Sequence, residues 1–531
     1  MVIYQVFTRL FGANVQHPVP NGGKKQSGCG TMSAFTPKAL QEIKNLGATH
    51  VWYTGIIEHA TQTDYTKYGI RRDNPLVVKG KAGSPYAIKD YYDVDPDLAT
   101  KVDERISEWE RLIERTHAAG LKVIQDFVPN HVARQYHSDA CPIGCQDLGQ
   151  GDDVSQMYSP DNNFYYLGEP LHTDNIIAGL SQEEKDKYPI YEENPAKATG
   201  NDVFTAWPGR NDWYETVKLN YGRNTYAKML QILQYWAAKG VDGFRCDMAE
   251  MVPVEFWEWV IPQIKAQYPD IIFIAEVYNP TLYRDYIYRG GFDYLYDKVG
   301  LYDKLRAVQA GFCSAKEITG CWQSVEDIQS HMLNFLENHD EQRIASDFFA
   351  GDARKGRPML LVSTLMNTNP TMVYFGQELG ERGMDSEGFS GEDGRTTIFD
   401  YWTIDTIRRW RNGGKFDGAL LTKGEKDLRQ YYQKVLRFSE NENAFAEGMF
   451  WDLMYVNPHM DRQYAFLRSD RKVTYLVVAN FCDDSVETEV RVPADAIRSL
   501  GSMEHGNALV GDKVISIKLK PWDGIVKKIK L

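Results

Sequence analysis

A (β/α)8 barrel of the α/β class, with a segment inserted after its third strand and a C-terminal antiparallel β domain, is the fold this sequence predicts. Eight short apolar runs, near residues 3, 50, 124, 244, 273, 294, 334 and 373, alternate with amphipathic helical stretches. Such runs are typical of parallel strands that are covered on both faces. The alternation stops between residues 132 and 215, and after residue 445 short β-branched runs replace it.

The domain boundaries follow from these changes of pattern. A chain of 531 residues is too long for one ordinary domain. We assign residues 1–131 and 216–445 to the barrel, 132–215 to an inserted domain, and 446–531 to a C-terminal antiparallel β-sandwich. An open, doubly wound sheet is the competing architecture, but no glycine-rich phosphate-binding loop follows the first strand.

Start and stop signals define the elements of the first half in order. A strand covers residues 2–8, and a helix opens at Thr36-Pro37 and ends at Gly47. A second strand over residues 49–55 leads into a long polar loop that reaches residue 96. A helix over residues 106–119 and a strand over 123–128 complete the third β-unit. Three strands alternating with two helices so far imply a parallel sheet.

The second half resumes the alternation and then changes texture. Helices are predicted over residues 226–239 and 427–438, on either side of the remaining barrel strands. Beyond residue 443, short alternating or β-branched runs predict strands at 464–467, 473–480, 487–492 and 514–519. These strands are the basis for the separate C-terminal β domain.

Charge and hydropathy exclude several functional classes. The net charge is −13, which argues against nucleic acids and anionic membranes as partners because both require a basic surface. No run of about 18 apolar residues is present, so no membrane span is expected. The sequence begins directly in a strand-like run, so the expected location is the cytoplasm, or the periplasm or exterior if a leader has been removed. The pattern does not indicate an oligomeric state.

Cysteine usage does not indicate a disulfide framework, because the seven cysteines are scattered and odd in number. Cys141 and Cys145 lie close together, with His137 nearby. A metal clip, a loop disulfide and two free thiols are all compatible with this spacing.

Two carboxylates lie at the ends of consecutive predicted strands. Asp247 ends the run G-F-R-C-D, and Glu276 ends the run I-I-F-I-A-E. The active sites of βα barrels are built at the C-terminal ends of the strands. Arg245 precedes Asp247 by two residues, on the same strand face, and is the expected partner of its charge.

Four strand ends resemble motifs of the α-amylase family of glycoside hydrolases, in the order of that family. They are D-F-V-P-N-H at 126–131, G-F-R-C-D-M-A-E at 243–250, A-E-V-Y at 275–278 and E-N-H-D at 337–340. The loop Y-A-I-K-D-Y-Y-D-V-D-P resembles the loop after the second strand of that family. The insertion and the C-terminal domain also lie where that family has its B and C domains, so the resemblance spans nearly the whole chain.

The resemblance implies catalytic roles for three residues. Asp247 would be the nucleophile, Glu276 the general acid/base, and Asp340 the group that stabilises an oxocarbenium-like transition state. Retention of configuration requires two carboxyl groups about 5 Å apart, and neighbouring strands lie about 4.8 Å apart. The apolar run before Glu276 favours the protonated form that an acid requires.

The resemblance also implies substrate contacts. Arg245 would orient Asp247, His131 and His339 would hydrogen-bond sugar hydroxyls, and Tyr86 would be an aromatic platform beneath the reacting ring. The aromatic residues Trp207, Trp213, Tyr214, Trp322 and Phe389 are further candidate contacts with the sugar.

Two further expectations concern a structural calcium ion and the subsites next to the reacting sugar. The resemblance implies that Asn130 supplies one ligand of a structural calcium ion, but no cofactor for the chemistry. The candidates for the remaining oxygen ligands are Asp152, Asp153, Asp202 and Asn220. Glu250 and Met251 stand where many relatives have Lys-His, so the leaving-group subsites are expected to differ. V-K-L-N at 217–220 and H-D-E-Q-R at 339–343 resemble the neopullulanase and cyclomaltodextrinase group.

The resulting prediction is a retaining hydrolase of α-glucosidic bonds, mainly α-1,4, in starch, maltooligosaccharides or related α-glucans. A transglycosylase or isomerase would use the same residues. A non-catalytic glycan-binding barrel is expected to lack one carboxylate, yet all three are present. A metal-dependent barrel hydrolase would require clustered ligands, and no H-x-H or H-x-x-x-H pair accompanies His131 or His339. Linkage preference, endo versus exo attack and the choice between hydrolysis and transfer stay open at the sequence level.

Overall fold

The barrel is closed, and its eight strands are all parallel. The computed structural model describes residues 1–500 and 511–530. When the barrel strands are numbered β1 to β8 in chain order, each strand pairs with the next one, and β8 pairs with β1 to close the barrel. The fold class expected from the sequence is therefore confirmed. The strands are β1 Val2–Phe7, β2 His50–Thr54, β3 Lys122–Phe127, β4 Gly243–Cys246, β5 Ile272–Ala275, β6 Tyr294–Tyr296, β7 Met332–Phe335 and β8 Thr371–Tyr374.

Helices connect these strands, and the principal ones lie close to the predicted spans. The short barrel strands are almost wholly buried, as parallel strands covered by helices require. The main helices are Pro37–Leu46, Arg105–Ala118, Arg223–Ala237, Val254–Gln267, Asp303–Gln309, Ile318–Ser324, Arg357–Leu365, Asp405–Arg411 and Lys423–Asn441. Shorter turns occur at Thr8–Phe11, Lys24–Ser27, Gln182–Lys185 and Asn443–Ala446, and π-helical turns at Asp285–Arg289 and Lys298–Tyr302.

The first helix shows how local signals set the boundaries. The Thr36 hydroxyl accepts a hydrogen bond from the backbone N–H of Ala39, at 3.2 Å, and Pro37 occupies the first turn. The helix ends at Gly47, whose φ of 117° lies in the left-handed region. A Cβ at this position would also approach Leu436 to 2.9 Å, so glycine both ends the helix and admits the last barrel helix.

The prediction of a long polar loop after β2 is partly wrong. Ile88–Val94 is a strand that pairs antiparallel with Ile57–His59. Its sequence, I-K-D-Y-Y-D-V, places charged residues among apolar ones, which is typical of a surface loop, yet all seven residues are buried. Arg105 binds the Asp93 carboxylate, and Lys89 binds Asp73 at 3.0 Å, so pairing of buried charges makes this strand possible.

The segment inserted after β3 contains short elements of regular structure and no long ones. A short antiparallel pair, His131–Ala133 with Thr216–Lys218, holds together the two ends of the inserted segment. Within the segment, the fully buried Arg134 donates to the carbonyl of Tyr214, at 2.6 Å, and to Glu193 Oε1, at 2.8 Å. The boundaries at 132 and 215 stay predictions.

The C-terminal part forms antiparallel sheets, as expected. One sheet has four strands, Met449–Asp452, Gln463–Ser469, Thr474–Asn480 and Gly524–Ile529. The other pairs Val486–Val492 with Lys513–Leu519. A helix, Ala494–Leu500, follows the second sheet's first strand. The first and last strands of the larger sheet were missed, because their alternation is short and interrupted. Among the described residues, no helix is both long and apolar enough to cross a membrane.

Candidate active site

The ends of β4 and β5 bring two carboxylates next to each other. Cys246 is paired with Ala275 in the parallel ladder, so the following residues, Asp247 and Glu276, are also neighbours. Adjacent strands lie about 4.8 Å apart, which sets the spacing of the two side chains where they leave the barrel. Asp247 is 6 % exposed and Glu276 is 3 % exposed, so both acids lie at the bottom of a cleft rather than on the surface.

Arg245 bridges these two acids. Its Nη1 lies 2.7 Å from Asp247 Oδ1, and its Nη2 lies 2.8 Å from Glu276 Oε2. The side chain is fully buried, and the rings of Trp52 and Tyr86 face the guanidinium at 5.2 and 5.4 Å. A single planar cation thus fixes the relative position of both carboxylates on one rim of the barrel.

Glu276 has two further partners. Tyr278 donates its hydroxyl to Oε1 at 2.5 Å, and the backbone N–H of Met248 donates to Oε2 at 2.9 Å. Met248 has a φ of 42°, in the left-handed region that a residue with a Cβ rarely adopts. This strained backbone directly follows Asp247 and turns its N–H toward Glu276.

Electrostatics distinguish Asp247 from Asp340. Burial raises the pKa of Asp247 well above its usual value, and Glu276 and Asp340 add to this rise while the Arg245 guanidinium opposes it. Desolvation by the cleft also disfavours ionisation of Asp340, but His339 and Arg245 together hold the pKa of Asp340 below its ordinary value.

The remaining predicted residues surround these acids. His339 Nε2 lies 3.0 Å from Asp340 Oδ2, and the Tyr86 ring stacks on the His339 ring at 5.0 Å between centroids. Burial, together with Lys218, lowers the pKa of His131 to about 3, so this imidazole is neutral. The structure thus gathers all seven residues predicted for catalysis and substrate contact at one end of the barrel.

The cleft above the acids has a volume of about 450 Å³. Asp247, Glu276, Asp340, Tyr86 and His131 line it, and of the five aromatic candidates Trp213 alone does so. Trp207 instead stacks on His172 within the inserted segment, and Phe389 packs on Phe399. Lys79, Ser84, Glu215, Thr216, Met248, Tyr278, Glu341, Arg395, Ile398 and Phe399 complete the lining.

Several site residues had no clear sequence signal. Asp126 lies 3.5 Å from Arg245 and accepts a hydrogen bond from the Trp52 indole at 2.9 Å. The hydroxyl of Tyr296 accepts a hydrogen bond from the Nε of Arg245 at 3.1 Å. Asp126 opens the motif D-F-V-P-N-H, so its position at a strand end was the available signal. Glu250 accepts the backbone N–H groups of Tyr278 and Asn279 at 3.1 and 3.0 Å, and so supports the end of β5.

Comparison with known proteins identifies the family. Residues 22–455 match the family model described as "Alpha amylase, catalytic domain", which is most of the chain. The chain belongs to the α-amylase family. The α-amylase catalytic domain accounts for the barrel, the cleft and the strand-end carboxylates described above.

Relatives within the α-amylase family are distant in sequence. The chain is 24 % identical to alpha-amylase 3 of Dictyoglomus thermophilum, over 84 % of this chain and 78 % of that protein. It is 24 % identical to a cyclomaltodextrinase of a Bacillus species, over 80 % of this chain and 65 % of the relative. It is 22 % identical to the oligo-1,6-glucosidase of Parageobacillus thermoglucosidasius, over 100 % of this chain and 98 % of the relative.

Solved structures of the family share the fold. The cyclic α-maltosyl-(1→6)-maltose hydrolase of Arthrobacter globiformis, in complex with maltose, superposes with a TM-score of 0.65 at 18 % identity, over 99 % of this chain and 98 % of that one. The maltogenic α-amylase AmyB of Thermotoga neapolitana gives a TM-score of 0.58 at 20 % identity, over 100 % and 96 % of the two chains.

The residues around Asn130 do not fit the calcium ion implied by the family resemblance. The side-chain amide oxygen of Asn130, Oδ1, accepts a hydrogen bond from the ammonium of Lys218 at 2.5 Å. The same ammonium binds Asp202 Oδ1 at 2.8 Å and the carbonyl oxygen of Met251 at 3.2 Å. A cationic side chain therefore lies among the oxygens that a calcium ion would need.

The other calcium candidates are also engaged. Asp152 accepts the backbone N–H of Asn163 and the hydroxyl of Tyr166, at 2.9 and 3.0 Å. Asp153 binds Ser155 and Gln156, and the amide nitrogen of Asn220 donates to two backbone carbonyls. Carboxylates that already accept hydrogen bonds from the protein are poor ligands for a hard cation unless the loop rearranges.

We expect that stability does not depend on calcium but does depend on Lys218. Dialysis against EDTA should leave the thermal midpoint within about 1 °C, whereas Lys218→Ala should lower it by about 3–6 °C by leaving Asn130 and Asp202 unpaired. Calorimetry with and without added CaCl2 measures both effects. Lys423→Ala, in the first turn of the last barrel helix, is the control for loss of a lysine. A large EDTA-dependent fall in the wild type would contradict this expectation.

Within the described part of the chain, one other group of carboxylates could be taken for a metal centre. Oxygens of Glu58, Asp90 and Asp93, all buried, lie within 4.8 Å of one another. Asp90 already accepts hydrogen bonds from Ser138 at 2.6 Å and the backbone of Asp139 at 2.7 Å, and Arg105 binds Asp93. Burial and the two neighbouring acids raise the pKa of Glu58 to about 9, so this carboxyl is protonated at neutral pH. For Cys141 and Cys145, the sequence left a metal clip, a loop disulfide and two free thiols open. In the structure the two cysteines form no disulfide and are free thiols.

Proposed function

We propose that the protein is a retaining glycoside hydrolase that cleaves α-glucosidic bonds, mainly α-1,4, in starch, maltooligosaccharides or related α-glucans. Membership of the α-amylase family supports a glycosidase acting on α-glucans. The observation that carries the proposal further is the bridge from Arg245 to both Asp247 and Glu276. Neighbouring strands lie about 4.8 Å apart, close to the carboxyl separation of about 5 Å that double displacement requires, so acids at the ends of β4 and β5 suit this mechanism.

In the first step, Asp247 attacks the anomeric carbon while Glu276 gives its proton to the glycosidic oxygen. The bond from the anomeric carbon to that oxygen breaks, the leaving sugar departs as an alcohol, and a glycosyl ester forms on Asp247. In the second step, Glu276 takes a proton from water and the resulting hydroxide attacks the anomeric carbon. The ester bond breaks and both carboxyls return to their starting states, so atoms and charge balance.

The remaining residues act on the transition state. Asp340, which is ionised, lies beside the sugar position and stabilises positive charge as it develops on the anomeric carbon. The neutral His131 and the His339 imidazole bind hydroxyl groups. Tyr86, with one face against His339, supports the apolar face of the ring.

Stereochemistry and product lengths test the proposal. Wild-type enzyme is mixed with maltoheptaose, and the anomer released first is followed by proton NMR, before mutarotation scrambles it. We expect the α-anomer and products shorter than the substrate. Starch, pullulan, isomaltose and cyclodextrin, supplied in parallel, define linkage and chain-end preference. A β-anomer would contradict retention, and products longer than maltoheptaose would favour transglycosylation instead.

A further inference from the structure

A second, larger groove lies on the outside of the barrel, where the helix Ile318–Ser324 meets the first strand of the C-terminal sheet, Met449–Asp452. Its volume is about 540 Å³, compared with about 450 Å³ for the active-site cleft. The two share no lining residue. Four aromatic residues and three amides dominate its walls: Trp322, Phe450, Trp451, Tyr455, Gln323, Gln329 and Asn367.

The aromatic side chains are held by hydrogen bonds at their edges. The indole nitrogen of Trp322 donates to Asp452 Oδ2 at 3.0 Å, and its ring meets Phe450 edge-on at 5.2 Å. The indole nitrogen of Trp451 donates to the hydroxyl of Tyr455 at 3.3 Å. Tyr455 nonetheless remains 63 % exposed. Large, partly exposed rings that are fixed in place act as preformed contact surfaces, because little side-chain entropy is lost when a ligand binds.

Asp452 fixes this arrangement. Besides Trp322, its carboxylate accepts the hydroxyls of Thr319 at 2.6 Å and Tyr464 at 2.8 Å. The backbone N–H of Met454 donates to its other oxygen at 2.6 Å. The acid therefore ties a barrel helix to the C-terminal sheet and makes the groove floor rigid.

Two polar atoms in the groove are left without partners. Gln329 Oε1 and Asn367 Nδ2 are buried and make no hydrogen bond to any described residue. One is an acceptor and the other a donor, and leaving such groups unsatisfied is costly. Both side chains belong to the groove lining, so unpaired hydrogen-bonding capacity is present at this site.

Charge narrows the class of ligand. Among the residues that the structure describes, the lining contains no lysine, arginine or histidine, and it includes the acids Glu326 and Asp452. Anionic ligands such as phosphates, nucleic acids or acidic peptides are disfavoured there. A neutral molecule with an apolar flat face and hydroxyls at its edge matches fixed aromatic rings flanked by amides and a carboxylate.

We propose that this groove is a second carbohydrate site that binds a segment of α-glucan away from the active site. The proposal rests on the proposed function for the identity of the sugar. A polymer held at the groove keeps its other segments near the cleft, which raises their effective concentration there. Long α-glucans gain from this tethering, whereas oligosaccharides too short to span both sites do not.

The binding test uses the full chain carrying Glu276→Gln, which removes turnover. Binding of maltoheptaose to this protein is measured by calorimetric titration. We expect two sites per chain. Adding Trp451→Ala and Tyr455→Ala should weaken the groove site about tenfold or more, leaving one measurable site. Tyr455→Ala alone, which removes a largely exposed ring, should weaken the groove site less. Tyr158→Ala is the matched control, because Tyr158 is 61 % exposed and lines neither the groove nor the cleft.

Activity provides an independent measurement in the wild-type background. The double groove variant should lose about threefold to tenfold in kcat/KM on soluble starch and keep its value on maltotriose. A single site in both the parent and the groove variant, with hydrolysis intact, would overturn the groove proposal alone. Absence of hydrolysis of every α-glucan by the wild type would instead overturn the proposed function.

Discussion

Replacing Asp247 by Asn is expected to reduce kcat on maltoheptaose by about 10⁴-fold or more, and Glu276→Gln to produce a loss of similar size. An amide at position 247 cannot form the glycosyl ester, and an amide at 276 cannot give a proton to the leaving oxygen. Both changes conserve side-chain volume at buried positions, so the thermal midpoint should change little. Initial rates, with the midpoint measured on the same samples, provide the test.

Glu250→Gln is the matched control for these variants. Glu250 is a carboxylate in the same loop after β4, but it binds backbone N–H groups and does not line the cleft. We expect it to retain most of its activity. Near-normal turnover in folded Asp247→Asn or Glu276→Gln protein would be incompatible with the assigned roles.

Azide separates the roles of the two acids. With Asp247→Ala, a small anion can enter the space left by the side chain and displace an activated leaving group once, giving an inverted glycosyl azide. With Glu276→Ala, azide replaces water in the second displacement and the product keeps the starting configuration. If the two products show the opposite pattern, the nucleophile and the acid/base must be exchanged.

Replacing Arg245 by Met is expected to have the second-largest effect, because it combines a loss of catalysis with a loss of stability. Removing one partner of a buried ion pair costs about 3–5 kcal/mol, since Asp126, Asp247 and Glu276 would stay behind without their shared cation. Urea unfolding at neutral pH measures this fall. The turnover number should also fall by at least about 100-fold, because the two reacting carboxyls lose their common anchor.

The pH profile of the same variant carries a signed prediction. Arg245 lowers the pKa of Asp247, which burial raises. Without the guanidinium this pKa rises further, and Asp247 becomes ionised only at higher pH. Because attack requires the ionised form, the acidic limb of the kcat/KM profile should move upward by at least about one pH unit. An unmoved or lowered limb would contradict this role for Arg245.

Arg343→Met is the control that separates stability from catalysis. Arg343 is equally buried and pairs with Glu337 at 2.9 Å, but it does not line the cleft. We expect a comparable fall in the free energy of unfolding, an unmoved acidic limb, and activity per folded molecule close to that of the wild type.

The barrel and the two acids at the ends of β4 and β5 were predictable from the sequence because each depends on local pattern. Buried parallel strands have a continuous apolar composition, and in such a barrel the residue that ends the strand enters the site. Asp247 and Glu276 were therefore identifiable from Gly243–Cys246 and Ile272–Ala275 alone. Gly47 and Thr36 likewise mark helix ends through local backbone chemistry.

Features that depend on distant pairing were not predictable in this way. The strand Ile88–Val94 has the composition of a surface loop and becomes buried only because distant charges pair with it. Arg245 was expected to serve Asp247, yet it also binds Glu276 because β5 lies beside β4 in space. Trp213 and Trp207 are close in sequence, but only the fold of the inserted segment decides which one faces the cleft.

The contacts of Lys218 bear on how the inserted segment docks against the barrel. Its ammonium joins the end of the inserted segment to the loops after β3 and β4. Because Lys218 is part of the polypeptide, we expect docking of the inserted segment against the barrel to require no added metal ion. Chelation should then leave this wall of the cleft in place.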